Sequence, residues 1–130
     1  MEQKPYILIV DDDPDILEGI LTILESQPYR LATARDGKKC MEMVAQDIPD
    51  LLILDLLMPE VDGWEVCERI RSFSDVPILI LSALGSPGSV ARALDAGADD
   101  YLIKPVHASL LASRLRTLVR RRALKANVAA

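Results

Sequence analysis

The sequence predicts an α/β fold in which five parallel strands form one open sheet with helices on both faces. Short apolar runs alternate with longer helical patterns along the 130 residues, and no internal repeat interrupts them. Three of the runs are apolar almost throughout, as expected of central strands that are covered on both faces. Five strand–helix units in strict alternation favour right-handed crossovers within a single sheet.

The first half of the pattern begins with the apolar run YILIV at 6–10. A helix is predicted at 14–26, with Asp12 or Asp13 as its N-cap and Pro14 at an early position, where a missing N–H costs little. Its apolar residues recur at spacings of three and four, which indicates one buried face. The next strand and helix are predicted at 29–34 and 37–46, and Asp36-Gly37 marks the turn between them.

The second half repeats the alternation three times. Strands are predicted at 51–55, 76–81 and 100–103, and helices at 62–73, 88–96 and 107–122. Asp62-Gly63 and Gly97 mark boundaries between these elements. We therefore predict one domain over residues 1–122, followed by a tail or the start of a linker at 123–130. The pattern of the last helix continues beyond its apolar residues into a basic stretch. This continuation favours one domain of a longer protein over a single-domain protein.

The composition is that of a soluble globular domain, with half of the residues hydrophobic and 27% charged. No apolar run approaches the roughly 20 residues that a membrane helix needs, and the N-terminus lacks the pattern of a signal peptide. Cys40 and Cys67 form no metal-binding motif and lie in helical patterns, so we predict buried thiols. These observations predict a cytoplasmic location with no membrane contact.

The charge is divided along the chain. Residues 1–113 carry nine basic and 20 acidic residues, a net charge of −11, whereas six basic residues and no acid follow from Arg114 onward. Cations near the end of a helix favour the negative pole of its dipole. Residues 1–113 are too acidic to bind a polyanion, and no aromatic residues lie among the six basic ones. We therefore predict no direct nucleic-acid binding by this domain.

Polar residues follow four of the predicted strands. Asp11 and Asp12 end the first strand, Asp55 the third, Ser82 the fourth and Lys104 the fifth. In open α/β sheets, sites form beyond the carboxyl ends of the strands, so these side chains are predicted to meet at one edge. Crowded carboxylates with no His or Cys set favour Mg²⁺. An aspartate can also accept a phosphoryl group, but no nucleotide-binding glycine loop is present, so the donor must be another molecule.

The segments IVDDDPDI, ILDLLMPEVDG, ILSA and GADDYLIKP resemble the motifs of bacterial two-component response-regulator receiver domains, over about residues 5–122. The resemblance implies a flavodoxin-like sheet in the order 2-1-3-4-5. It also implies a phosphoprotein that is phosphorylated on Asp55 by a sensor histidine kinase or a phosphotransfer protein. Asp12 and Asp55 would bind Mg²⁺ directly with the backbone carbonyl of Leu57, and Asp11 mainly through water.

The resemblance assigns further roles. Ser82 and Lys104 would bind the phosphoryl group, Tyr101 would be the aromatic switch residue, and Lys104-Pro105 would form a joint that is commonly cis. The fourth helix, fifth strand and fifth helix would form the switching face. A phosphorylation-dependent homodimer would use charged residues on this face, with Asp100 and Arg114 paired across a two-fold axis; scattered surface charge is the alternative reading. The charged residues of this face are Arg92, Asp95, Asp99, Asp100, Arg114 and Arg116, of which Arg92, Asp99, Asp100 and Arg114 are the predicted dimer contacts.

Two positions depart from relatives with polar residues there. Leu57 and Leu84 stand two residues after Asp55 and Ser82, and neither orients a hydrolytic water. We therefore predict slow self-dephosphorylation and no other enzymatic activity. A phosphatase of the haloacid-dehalogenase kind is one alternative, but Leu57 stands where such an enzyme needs an acid. A degenerate receiver that acts only as a binding module is another, and the full acidic set with Lys104 argues against it.

Overall fold

The computed structural model describes the backbone of residues 3–129 and the side chains of residues 3–125. The strands are β1 (Tyr6–Val10), β2 (Arg30–Ala34), β3 (Leu51–Leu54), β4 (Ile78–Ser82) and β5 (Asp100–Ile103). The helices are α1 (Pro14–Leu24), α2 (Gly37–Gln46), α3 (Gly63–Arg71), α4 (Pro87–Asp95) and α5 (Ala108–Ala129). Strands and helices alternate throughout, as the sequence predicts.

All five strands are parallel and form one sheet in the order β2-β1-β3-β4-β5. The predicted flavodoxin-like fold is confirmed. The register places Val10 opposite Leu54, so that Asp11 and Asp55 follow as neighbours at the carboxyl edge of β1 and β3. Ser82 lies opposite Ile103 in the same way. The order of the strands therefore brings the predicted polar residues to one edge of the sheet.

The sheet separates two apolar cores. Side chains of β1 alternate between them, because successive residues of a strand point to opposite faces. Tyr6, Leu8 and Val10 pack with α2, α3 and α4, whereas Ile7 and Ile9 pack with α1 and α5. Every residue of β1, β3 and β4 is buried, which explains why their sequences are apolar on both faces.

The two cysteines lie inside the first of these cores. Cys40 of α2 and Cys67 of α3 are fully buried free thiols, as predicted. Burial raises the pKa of each thiol to about 12, because a thiolate would lose its hydration there. Both side chains therefore act as apolar packing groups at neutral pH.

Of the two caps predicted for α1, the structure has Asp13, which accepts a hydrogen bond from the backbone N–H of Asp15 at 2.9 Å. Several element boundaries differ from the predictions. β4 begins at Ile78, two residues late, immediately after Pro77, which has no N–H to donate to a neighbouring strand. α5 continues to Ala129 rather than ending at 122, since its last residues include neither Gly nor Pro.

The far end of α5 is attached to the body of the domain. The Lys125 Nζ lies 2.7 Å from a carboxylate oxygen of Asp75, and Arg122 lies 3.5 Å from the same side chain and 3.6 Å from Asp50. These pairs stabilise the helical extension against the amino ends of the strands. Among the described residues, no helix has both the length and the apolar character required to cross a membrane.

Candidate functional site

Asp11 and Asp55 lie side by side at the carboxyl edge of the sheet. The backbone N–H of Asp55 donates to the carbonyl of Val10 at 3.0 Å, which extends the pairing of β1 and β3 by one residue. Both aspartates are buried, with 2% and 6% of their surfaces exposed. The backbone N–H groups of Leu56 and Leu57 donate to Asp55 Oδ1 at 2.8 and 3.4 Å. The carboxylate is thereby held in one orientation.

Lys104 enters the same pocket from the end of β5. Its Nζ donates to Asp11 Oδ2 at 2.7 Å and to Asp55 Oδ2 at 3.3 Å. The Lys104-Pro105 peptide bond is cis, as the resemblance implies. Burial alone would lower the pKa of Lys104, but its hydrogen bond to Asp11 and the charge of Asp55 outweigh burial, so that this pKa lies above its ordinary value. Lys104 is therefore a fixed cation at neutral pH.

Asp55 has the opposite balance. Burial raises the pKa of Asp55, and the charge of Asp11 adds to that rise, while Lys104 and the N–H of Leu57 only partly oppose it. One ammonium group does not fully compensate two buried carboxylates. The site is thus short of positive charge.

A divalent cation fits this site. One carboxylate oxygen from each of Asp11, Asp12 and Asp55 lies within 4.8 Å of the others. Oxygens on opposite sides of a Mg²⁺ ion are about 4.2 Å apart, so modest movements would bring all three to bonding distance. Asp12 is exposed to solvent, whereas Asp11 is committed to Lys104, a difference that agrees with a direct role for Asp12 and a water-mediated one for Asp11. The Leu57 side chain is half-exposed at the mouth.

Ser82 and Tyr101 form a second layer around the site. Ser82, at the end of β4, is fully buried, and its hydroxyl accepts a hydrogen bond from the backbone N–H of Leu84 at 3.3 Å. The Tyr101 hydroxyl donates a short hydrogen bond to the carbonyl of the same Leu84. Both groups therefore hold one peptide segment, the loop between β4 and α4.

Two glycines close to the site were treated in the sequence only as turn markers. A Cβ atom at Gly63 would lie 2.3 Å from the carbonyl oxygen of Asp55 and 2.7 Å from the Cα of Leu56. A Cβ at Gly37 would lie 2.8 Å from the carbonyl oxygen of Val61. The start of α3 therefore contacts the beginning of the loop that follows Asp55, and the start of α2 contacts its end at Val61. The Asp-Gly pairs were the available signal, but they do not reveal what the glycines touch.

The loop that follows Asp55 also contains a residue in an unfavourable conformation. Glu60 has a φ of 68°, the left-handed region that glycine and asparagine tolerate best. Its side chain is exposed and gains nothing from packing in return. Residues held in this way cluster at functional sites, where surrounding contacts impose the conformation.

The charges predicted for a dimer face are occupied within the chain. The guanidinium of Arg92 lies 4.1 Å from the centre of the Trp64 ring of α3, so it faces α3 rather than β5 and α5. The carboxylate of Asp100 accepts from Arg114 at 3.0 Å in the same chain. The predicted pairing of these two residues across a two-fold axis stays a prediction.

Asp99 has a structural role that the sequence did not indicate. Its Oδ2 accepts from the Arg71 guanidinium at 2.7 Å and from the backbone N–H of Ile78 at 2.8 Å. Arg71 also donates to the carbonyls of Gly97 and Val76, at 3.0 and 2.7 Å. These bonds join the end of α3 to the loops that precede β4 and β5. Because Asp99 is already paired with Arg71, it is less available for contact with a second copy of the chain.

Comparison with known proteins agrees with this geometry. The family described as "Response regulator receiver domain" matches residues 7–116. The chain is similar to a probable transcriptional regulator, ycf27, of Guillardia theta, with 42% identity over 93% of this chain and 48% of that protein. It is also similar to the response regulator MprA of Mycobacterium leprae, with 47% identity over 88% and 51%. The chain spans about half the length of these relatives.

Solved structures show the same similarity. The receiver domain of a putative Luxo repressor protein from Vibrio parahaemolyticus superimposes with a TM-score of 0.92 at 26% identity, over 98% of each chain. The BeF₃-activated receiver domain of Klebsiella pneumoniae RstA gives a TM-score of 0.85 at 31% identity, over 88% of this chain and 98% of that one. Sequence, fold and the acidic edge of the sheet therefore agree, and the chain belongs to the receiver-domain family of two-component response regulators.

Proposed function

We propose that this receiver domain accepts a phosphoryl group on Asp55 and uses its presence as a signal. The observation that carries the proposal is the convergence of Asp11, Asp55 and Lys104, with Lys104 Nζ within 3.3 Å of both carboxylates. In the reaction, a carboxylate oxygen of Asp55 forms a bond to phosphorus while the P–N bond of a phosphohistidine donor breaks. The bonding electrons return to the imidazole nitrogen, and a proton on the other ring nitrogen makes the leaving group a neutral imidazole, so atoms and charge balance.

The residues of the site divide the work. Asp55 is held by the backbone N–H groups of Leu56 and Leu57, so its carboxylate needs little reorientation before attack. Lys104 supplies a fixed positive charge beside the incoming phosphoryl oxygens. Ser82 offers a buried hydroxyl, and its O–H can donate to the same group while its oxygen accepts from the Leu84 N–H. Bound Mg²⁺, held by Asp11, Asp12, Asp55 and the carbonyl of Leu57, would offset charge on the phosphoryl oxygens.

The phosphoryl donor is proposed to be a sensor histidine kinase or a phosphotransfer protein. An apolar groove lies beside Lys104, between α1 and the loop that begins α5, and offers a docking surface next to Asp55. Its lining includes Ile16, Gly19, Ile23, Pro105 and Val106. Gly19 is exposed in the middle of α1, where Gly lowers helix stability by about 0.5–1 kcal/mol relative to Ala.

Filling this groove tests the docking surface separately from the chemistry. A Cβ at Gly19 would meet nothing within 4 Å, so Gly19→Leu adds bulk to the groove without disturbing the core. We expect phosphorylation by acetyl phosphate to keep its wild-type rate, while transfer from any histidine kinase that phosphorylates the wild-type chain slows at least tenfold. Equal slowing with both donors would contradict docking at this groove.

Stoichiometry tests the proposed reaction itself. The chain is incubated with Mg²⁺ and acetyl phosphate and its intact mass is measured, with Asp55→Asn and EDTA-treated samples as controls. Addition of one phosphoryl group to the wild-type chain alone supports the proposal. Rapid turnover of the donor without an accumulated adduct would favour a phosphatase, and an unchanged mass in every sample would favour a binding module.

The output of the switch is also a proposal. Relatives of about twice this length are described as a response regulator and a probable transcriptional regulator. We propose that residues 1–122 control an output domain or a partner protein, and that transcription is one process this output serves. In this scheme residues 123–130 begin a linker. Phosphorylation would change the α4–β5–α5 face and permit a homodimer. The free thiols of Cys40 and Cys67 fit a cytoplasmic location.

A further inference from the structure

One contact outside the phosphoacceptor site joins α3 to α4, the helix that follows the loop bonded to Ser82 and Tyr101. The guanidinium carbon of Arg92, in the last turn of α4, lies 4.1 Å from the centre of the Trp64 ring, in the first turn of α3. A cation over an indole face is among the stronger contacts between exposed side chains. Here it links α3 directly to α4.

Trp64 is held in an incompletely satisfied environment. Its indole Nε1 is buried and has no hydrogen-bond partner, and it is the one such side-chain atom found within residues 3–125. A buried N–H without an acceptor raises the free energy of the conformation that contains it. The resting arrangement of Trp64 therefore combines a favourable stack with an unfavourable buried N–H.

α4 itself is weakly anchored. Ala93 is its only fully buried residue, in contrast to the three or four buried residues in each of α1, α2 and α3. Its N-terminal end follows the loop that contains Leu84, whose N–H and carbonyl are bonded to Ser82 and Tyr101. Because the Leu84 N–H donates to the Ser82 hydroxyl, a movement of Ser82 toward a phosphoryl group on Asp55 would shift this loop and with it the start of α4.

From these observations we propose that the Arg92–Trp64 stack is a latch that holds α4 in its resting position and keeps Arg92 away from the α4–β5–α5 face. The inference rests on the proposed function. Phosphorylation would open the latch, free Arg92 for that face and expose the ring face that Arg92 covers to water. Phosphoryl transfer takes place in the conformation with an open latch, so removal of the latch, which raises the population of that conformation, should make the chain accept a phosphoryl group more readily.

The test uses the single tryptophan of the chain as its own probe. With Mg²⁺ and beryllofluoride, which mimics the phosphoryl group, we expect the emission of wild-type Trp64 to shift to longer wavelength. In Arg92→Ala the emission should be shifted before activation and change little afterwards. Arg69→Ala removes an exposed α3 arginine that pairs with Glu65 and should behave as wild type.

Rates provide the second readout. Arg92→Ala should be phosphorylated by acetyl phosphate about three- to tenfold faster than wild type, with Arg92→Lys in between because it keeps a cation near the ring. Trp64→Leu should give the same acceleration, and the double variant should be no faster than either single one. Additive accelerations, or wild-type rates in all variants, would overturn the latch.

The two proposals fail in different ways. If no variant and no wild-type sample gains a phosphoryl group, the proposed function is wrong. If Asp55 is phosphorylated but the emission of Trp64 does not move, the phosphoacceptor site stands and the latch is wrong. Urea unfolding of each variant identifies any that are unfolded, and Arg92→Lys, which keeps the charge but not the planar guanidinium, then decides the outcome: wild-type emission and rate in a folded Arg92→Lys would contradict the stack.

Discussion

Gly63 offers the sharpest test of how the fold positions Asp55. Ordinary contacts between a Cβ and a backbone oxygen begin near 3.4 Å, whereas in Gly63→Ala the new methyl would stand 2.3 Å from the Asp55 carbonyl oxygen. The first turn of α3 or the peptide between Asp55 and Leu56 must therefore retreat by about 1 Å. The N–H of that peptide orients the Asp55 carboxylate at 2.8 Å, so the movement directly reaches the proposed phosphoryl acceptor.

Two magnitudes follow for Gly63→Ala. Overpacking of this kind costs about 1–3 kcal/mol of unfolding free energy. A displacement of about 1 Å at a reacting group can lower its rate by a factor of about 100. Urea unfolding measures the first effect, and intact mass during phosphorylation by acetyl phosphate measures the second.

Gly88→Ala is the matched control, because Gly88 also lies in the first turn of a helix but its Cβ would meet nothing within 4 Å. It should keep or gain stability. Wild-type stability and phosphorylation within threefold of wild type in Gly63→Ala would refute the reasoning.

Three further predictions follow from the same region. Glu60→Asn should stabilise the chain by about 1 kcal/mol because Asn tolerates a positive φ, whereas Glu60→Ala should not; urea midpoints compare them, and equal midpoints would contradict the strain. In EDTA, Asp55→Asn should be more stable than wild type at pH 7 and equal to it below about pH 4. The raised pKa of Asp55 means that the folded state loses stability as pH rises from the unfolded carboxyl pKa through the folded one. A gain that is independent of pH would exclude this cause. Leu57→Asn, with a polar group at the exposed mouth of the site, should shorten the lifetime of the acyl phosphate severalfold, and an unchanged lifetime would show that Leu57 does not exclude the hydrolytic water.

The sequence predicts the sheet and the central site well because both depend on local patterns. Apolar runs identify β1, β3 and β4 directly, since these strands are buried on both faces. Once the strands are parallel, the residues that follow them must share one edge, so the meeting of Asp11, Asp55 and Lys104 follows from the topology. The same logic sets no distances, and it left open which aspartate caps α1.

Contacts between elements far apart in the chain were beyond these patterns. Nothing local indicates that Gly63 touches the carbonyl of Asp55 or that Arg92 lies over Trp64, because each contact depends on the relative placement of two elements. The role of Arg71 was missed for the same reason: its partners are backbone carbonyls and the carboxylate of Asp99, which lies 28 residues away in the sequence. Helix propensity could have predicted the longer α5, whose last turns contain good helix formers.

The central claim is that one strand-end aspartate, supported by its acidic neighbours and Lys104, is the phosphoryl acceptor. Borohydride reduction of the phosphorylated chain converts an aspartyl phosphate to homoserine, and peptide sequencing then gives its position. We predict homoserine at position 55 alone, formed with Mg²⁺ and absent with EDTA or in Asp12→Asn. Homoserine at position 11 or 12, or equal labelling without a divalent cation, would contradict the account.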